Sequence, residues 1–104
     1  MKLVSAIVRP FKLDEVRKAL AAHEVQSFTV SEVRGFGSGN GVTEFYRGAT
    51  YTENYLPKVK IEIVAGDNVV PLVLESVQQA AFTGRAGDGS IFVMDLVAAL
   101  PLSA

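Results

Sequence analysis

The chain has no cysteine and no tryptophan, a single histidine, and almost no net charge. Without cysteine there is no disulfide framework, no thiolate nucleophile and no thiolate metal ligand. His23 alone cannot build a zinc site, so neither a metal centre nor a catalytic residue is expected. Ten basic residues against eleven acidic ones leave a formal charge of −1. That balance lacks the basic footprint of a nucleic-acid binder. Long apolar runs are missing too: Leu3 to Val8 is interrupted by Ser5 and closed by Arg9, which is too short for a membrane span or a signal peptide. The expectation is a cytoplasmic protein, neither bound to nucleic acid nor embedded in a membrane.

What the chain does have is 104 residues, 49% of them apolar, which suits one domain over residues 1–104 with a single core. Lys2 to Arg9, KLVSAIVR, is short and β-branched, and stops where Pro10 turns the preceding residue away from helix. From Phe11 to Ala22, Leu13, Val16 and Leu20 recur at helical spacing, with Asp14 and Lys18 placed to pair on the wet side. His23 falls at the C-terminal end of that helix, where a cation suits the macrodipole. Val25 to Arg34 reads as a second strand. Lys58 to Val64, KVKIEIV, reads as a third, with Val59, Ile61 and Ile63 buried and Lys58, Lys60 and Glu62 wet. A second helix starts with Asp67 or Asn68 as its cap and runs to about Phe82, its buried stripe being Val70, Val73, Leu74, Val77 and Ala81. Ile91 to Leu96 is the last strand. This order gives an α+β, ferredoxin-like βαββαβ sandwich with a long loop between its second and third strands.

That loop, GFGSGNGVTEFYRGATYTENYLPK from Gly35 to Lys58, is long for a connection inside a compact domain, and such loops are usually functional. In this topology the first and second strands run one way and the third and fourth the other. The long loop therefore shares a rim with the turn Thr83 to Gly89 and with Arg9-Pro10-Phe11. Two glycine-rich segments meeting there let backbone N–H groups converge on an anion. Arg9, Arg34, Arg47, Lys58, Lys60 and Arg85 are near enough to supply charge. No dinucleotide fingerprint or Walker motif is present. Glu44, Glu53 and Glu62 pair with no base at any useful spacing, so no enzyme is expected. An RRM-like sheet would need exposed aromatics that KVKIEIV lacks, and no spacing recommends Arg9 and Asn40 as an acylphosphatase-like pair.

The segments MKLVSAIVRPFKLDEVRKAL, TEFYRGATY, LPKVKIEIV and TGRAGDGSIFVMDL resemble the PII signal-transduction proteins of nitrogen regulation, over nearly the whole chain. The resemblance implies a homotrimer with ATP or ADP sites in the clefts between subunits. It implies that residues 37–55 are a T-loop docking on a transporter, an enzyme or a regulator, and that residues 83–89 are a B-loop. Position by position, it implies Ile7, Thr29, Gly35, Phe36, Gly37, Glu62 and Val64 around adenine and ribose. Gly87, Asp88 and Gly89 would hold phosphates, with Thr83 and Arg85 beside them. Arg47 would be the cation offered to a partner. Tyr51 would be either a hydroxyl modified by a nucleotidyl group or a plain loop anchor, and the anchor is preferred.

Similar proteins usually carry Arg at the position of Ser38, Gln at Gly39, Lys at Ser90 and a pair of Arg at Pro101 and Ser103, and a small or acidic residue at Thr50. Ser38 and Ser90 thus keep their places in the ligand-binding set without the charge. Charge-assisted hydrogen bonds contribute about 1.5–3 kcal/mol each, so their loss weakens a triphosphate most. The amide that helps to hold Mg²⁺ and 2-oxoglutarate is gone as well. The expected small-molecule effector is ADP or AMP in preference to Mg-ATP, or an anion such as bicarbonate, with no obligatory cofactor. The alternative is an effector-independent interaction module that docks on a membrane transporter or efflux partner.

Overall fold

The computed structural model describes residues 1–25, 27–36, 42–46, 49–53 and 55–103. The elements are β1 (Lys2–Val8), a 3₁₀ turn (Pro10–Lys12), α1 (Leu13–Ala21), β2 (Thr29–Phe36), β3 (Val42–Tyr46), β4 (Ala49–Glu53), β5 (Tyr55–Ala65), α2 (Val70–Ala81) and β6 (Ser90–Asp95). The main sheet has the order β2-β5-β1-β6, and every neighbouring pair is antiparallel. Each helix therefore joins two strands that run the same way with a strand of the other half between them. This is the ferredoxin-like α+β fold that the element order implied.

The core follows from strand alternation. Val4, Ala6 and Val8 of β1 lie opposite Ile63, Ile61 and Val59 of β5 and are buried with them. Val16 and Leu20 from α1 and Val73 and Val77 from α2 close over that face. Each such side chain contributes about 1.5–3 kcal/mol by leaving water. The other face carries Leu3 opposite both Val64 and Met94, and Ser5 opposite Phe92. Val64, Phe92 and Met94 are exposed there, each by about half.

Several boundaries differ from the sequence reading for physical reasons. The second strand begins at Thr29 and not at Val25, because α1 ends in a left-handed residue, Glu24 at φ 63, and the Val25 N–H turns back to the Leu20 carbonyl. Val25 and Phe28 then pack against the core as a connector. Asp14 pairs with Arg17 at 3.5 Å, one turn position short of Lys18. Neither Asp67 nor Asn68 caps α2; the N-cap is Val69, and the Gly66 carbonyl accepts the N–H groups of Val69 and Val70. The Asp67 carboxylate accepts instead from the Met1 amine at 2.6 Å.

The described parts of the long connection are strand, where the sequence reading expected loop. β2 and β5 extend into it until Phe36 pairs with Tyr55, and β3 and β4 form a hairpin from Val42 and Glu53 to Tyr46 and Ala49. The runs VTEFY and ATYTE are β-branched and aromatic, the composition that favours strands. Among the described residues no helix is long and apolar enough to cross a membrane.

Candidate functional site

β1 and β2 end, and β5 and β6 begin, at one rim of the sheet. There the turn after α2 lies against β1. Within it the Thr83 hydroxyl donates to Asp88 Oδ2 at 2.7 Å, the Arg85 N–H donates to Thr83 Oγ1 at 3.3 Å, and the Asp88 N–H donates to the Arg85 carbonyl. A Cβ on Gly89 would fall 2.5 Å from the Ile7 carbonyl oxygen, so only glycine lets the turn come this close to the strand. Gly87 takes φ +83, which likewise favours glycine.

The alternation that buries Val59, Ile61 and Ile63 marks Lys58 as a wet residue, yet Lys58 is 9% exposed. The reason is its ammonium, which donates to the Gly87 carbonyl at 2.6 Å. A Cβ on Gly35 would lie 2.9 Å from both Cε and Nζ of Lys58. One side chain therefore packs on the backbone where the long connection begins and bonds to the backbone of the turn. Beside it the Phe36 and Tyr55 rings sit 5.5 Å apart, and the Arg34 guanidinium lies 4.8 Å from the Tyr55 centroid.

Two clefts open at this rim. One of about 590 Å³ runs between the end of α2, from Val77 to Phe82, and the turn, with Ile7, Ser90 and Ile91 on its floor. The other, of about 510 Å³, lies at the root of the long connection between Glu32, Arg34, Tyr55 and Lys58. Arg9 stands at the same rim, 3.7 Å from Asp88 Oδ1, and both side chains are largely buried. No cluster of three metal-ligating side chains occurs among the described residues.

The candidate residues fall into two groups. Ile7, Gly35, Phe36, Thr83, Arg85, Gly87, Asp88, Gly89 and Ser90 gather at the rim, with Ile7 paired to Ser90. Thr29 pairs with Glu62, and Val64 follows two residues on. Ile7, opposite Lys60, lies one strand over and two residues from Glu62, so Glu62 and Val64 continue from the rim along the same open face, whereas six residue steps of extended strand, about 20 Å, separate Thr29 from Gly35. Gly37, Ser38 and Arg47 lie outside the described residues. Tyr51 stands in β4, opposite Glu44. The sequence reading placed Arg9 and Lys58 at the rim by topology but missed their partners, because contacts across 79 and 29 residues leave no local pattern.

A ferredoxin-like sandwich with a glycine turn and a loop root joined through one lysine defines a small α+β protein with a built rim. The family described as "Nitrogen regulatory protein P-II" matches residues 1–101. The chain is 53% identical to the nitrogen regulatory protein P-II of Mesorhizobium japonicum, over 92% of this chain and 86% of that one. To the P-II of Azospirillum brasilense it is 55% identical, over 89% and 83%, and to the nitrogen regulatory protein GlnK of Escherichia coli (strain K12) 51%, over 92% and 86%. The chain belongs to the P-II family of nitrogen regulatory signal-transduction proteins.

Proposed function

We propose that this P-II protein is a homotrimeric regulator, not an enzyme, that takes an adenine nucleotide or a small anion between copies and signals through residues 37–55 to a partner protein. The turn of residues 83–89 receives the anion on its backbone N–H groups, with Thr83, Arg85 and Ser90 at its margins. Ile7, Gly35, Phe36, Glu62 and Val64 of one copy line one side of the guest, Thr29 of a neighbouring copy faces it from the other, and Gly37 and Ser38 are assigned to the same guest from the sequence. Arg47 and Tyr51 belong to the segment offered to the partner. The observation that carries this reading is Lys58, whose stem touches Gly35 and whose ammonium bonds to Gly87. A guest that displaces or reorients that side chain moves the root of the long connection.

The separation of about 20 Å between Thr29 and Gly35 along β2 supports a site completed by a second copy. So does the half-exposed apolar face of Val64, Phe92 and Met94, which a second copy would cover. ADP and AMP are favoured over Mg-ATP because Ser38, Ser90, Pro101 and Ser103 bring no cation to the outer phosphates. The same four positions also favour the second reading, an interaction module that docks on a transporter without any effector.

Calorimetric titration with ATP, ADP, AMP and bicarbonate separates the two. Saturating ligand at 100 times its Kd stabilises the folded state by about 2.7 kcal/mol and raises the melting temperature. A melting temperature unmoved by all four, with no heat of binding, rejects the effector reading. Mixing subunits tests the shared site. Gly89→Ala and Thr29→Lys chains each bind no ADP alone, whereas a random mixture regains about a quarter of the sites, from interfaces built of two unaltered surfaces. A mixture as inactive as its parents places the site within one copy.

A further inference from the structure

Arg9 leaves the end of β1 with only 13% of its side chain exposed. Its guanidinium lies 5.4 Å from the Phe11 ring centroid, and its Nε is buried without a hydrogen-bond partner among the described residues. A cation held this far from water needs a counter-charge, since the uncompensated desolvation of an ion costs several kcal/mol. Asp88, with 7% of its side chain exposed, supplies it at 3.7 Å through Oδ1. The other oxygen, Oδ2, accepts the Thr83 hydroxyl, and Thr83 Oγ1 in turn accepts the Arg85 N–H. A continuous polar chain thus starts on the sheet, crosses the turn and returns to its first residues. Beside it the turn is held by the Lys58 ammonium at the Gly87 carbonyl and by the Asp88 N–H at the Arg85 carbonyl, while Gly84 and Gly87 both take positive φ, where glycine leaves the backbone its widest freedom.

We propose that Arg9 is the positioning residue of this turn. It holds the Asp88 carboxylate inward, which keeps a negative charge away from an incoming anion. It also presets the backbone on either side of Asp88, at Gly87 and Gly89, before any guest arrives. The ordering cost that a glycine-rich turn would otherwise meet on binding is met on folding instead. Asp88 then serves the scaffold through both its carboxylate and its N–H, which donates to the Arg85 carbonyl. The functional half of this inference rests on the nucleotide reading above, while the conformational half does not.

The test compares the intact chain with Arg9→Ala, Arg9→Lys, Asp88→Asn and a distant core variant, Val16→Ala. Two quantities are read: ¹⁵N order parameters of residues 84–89 without nucleotide, and the Kd for ADP. In the unaltered protein the turn amides should be near 0.85, and in Arg9→Ala they should fall below about 0.6. ADP should bind about tenfold more weakly to Arg9→Ala, the loss of one charge-assisted contact's worth of preorganisation. Arg9→Lys should restore most of both, since an ammonium can still pair with Asp88. Asp88→Asn should loosen the turn as Arg9→Ala does, and it decides the matter should Arg9→Ala fail to fold. Val16→Ala should lower the melting temperature and leave both readouts alone.

Order parameters that stay high in both Arg9→Ala and Asp88→Asn overturn the proposal, as does a turn loosened equally by Val16→Ala. Unaltered protein that binds none of ATP, ADP, AMP and bicarbonate, together with a turn loosened by Arg9→Ala and Asp88→Asn but not by Val16→Ala, sinks the effector reading and leaves the positioning role standing.

Discussion

Replacing Lys58 separates what its stem does from what its charge does. Lys58→Met keeps the stem against Gly35 and removes the ammonium that bonds to the Gly87 carbonyl at 2.6 Å. The lost charge-assisted bond costs about 1.5–3 kcal/mol. Against this, a side chain that is 9% exposed no longer holds a charge away from water, and that relief is also of order kcal/mol. Gly87 is exposed, so water replaces the ammonium at its carbonyl and no orphaned acceptor remains. The two effects nearly cancel, and Lys58→Met is expected within about 1 kcal/mol of the unaltered protein. Lys58→Ala also removes three methylenes from a buried stem, about 0.8 kcal/mol each, and should be about 2 kcal/mol less stable than Lys58→Met. Urea unfolding at fixed subunit concentration measures both, and proton-detected amide spectra show whether Gly35 and Gly87 shift together in the Met variant. Equal stability of the Met and Ala variants would refute the packing argument. A Met variant more than about 3 kcal/mol below the unaltered protein would refute the claim that the bond and the buried charge offset each other.

Gly89→Ala places a methyl 2.5 Å from the Ile7 carbonyl oxygen, so the turn must leave β1; the cost should be about 1–3 kcal/mol, with the Ile7 and Ser90 pairing lost in amide spectra. Glu24→Gly relieves a left-handed backbone at φ 63, worth about 1–2 kcal/mol for a residue with a Cβ, against about 0.5–1 kcal/mol of added chain freedom; the melting temperature should rise, and a fall would contradict the reading of Glu24 as a strained helix terminus. Lys2 is held above the usual lysine value, first by its hydrogen bond to Asp95, then by the Asp95 and Asp67 charges. A raised folded pKa gives stability that is complete below the unfolded value of about 10.4 and is lost as pH rises through the folded one. The difference in urea midpoint between the unaltered protein and Asp95→Asn should thus be constant from neutral pH upward and fade only above about pH 10.4.

The parts of the molecule that obey a local rule were legible from the sequence. KVKIEIV alternates because β5 buries one face, and its Val59, Ile61 and Ile63 are core residues as the period demands. Val16 and Leu20 of α1 are spaced by one helical turn and are both fully buried. The order of the elements then fixed which ends of the strands share a rim. The failures have long-range causes. Lys58 breaks its own alternation because a carbonyl 29 residues away accepts its ammonium. Val25 looks like strand by composition, but the backbone reversal at Glu24 spends it on closing a helix. Asp67 has the chemistry of a helix cap and is instead drawn to the Met1 amine, whose hydrogen bond, and then its charge, hold the carboxyl below the usual range. The hairpin of β3 and β4 was hidden by the glycines that precede it, which dominate any window covering residues 35–41.

On the proposed reading, the absence of a cation at Ser38, Ser90, Pro101 and Ser103 would act on a guest unevenly. A turn of backbone N–H groups offers neutral donors, each worth about 0.5–1.5 kcal/mol, where a cation would give about 1.5–3 kcal/mol. The first phosphate of a nucleotide can be met by that turn, by Lys58 and by the helix-side cleft, all of which the chain retains. Each further phosphate adds negative charge while the chain adds no cation to match it. On that reading affinity should stop growing with phosphate number, since beyond the second phosphate repulsion and desolvation would outweigh what neutral donors return. The same uneven loss leaves the mechanical link intact, because Lys58 and Gly35 meet whether or not a third phosphate is held. A P-II chain altered in this way would keep the means of moving its long connection while changing which guest does the moving.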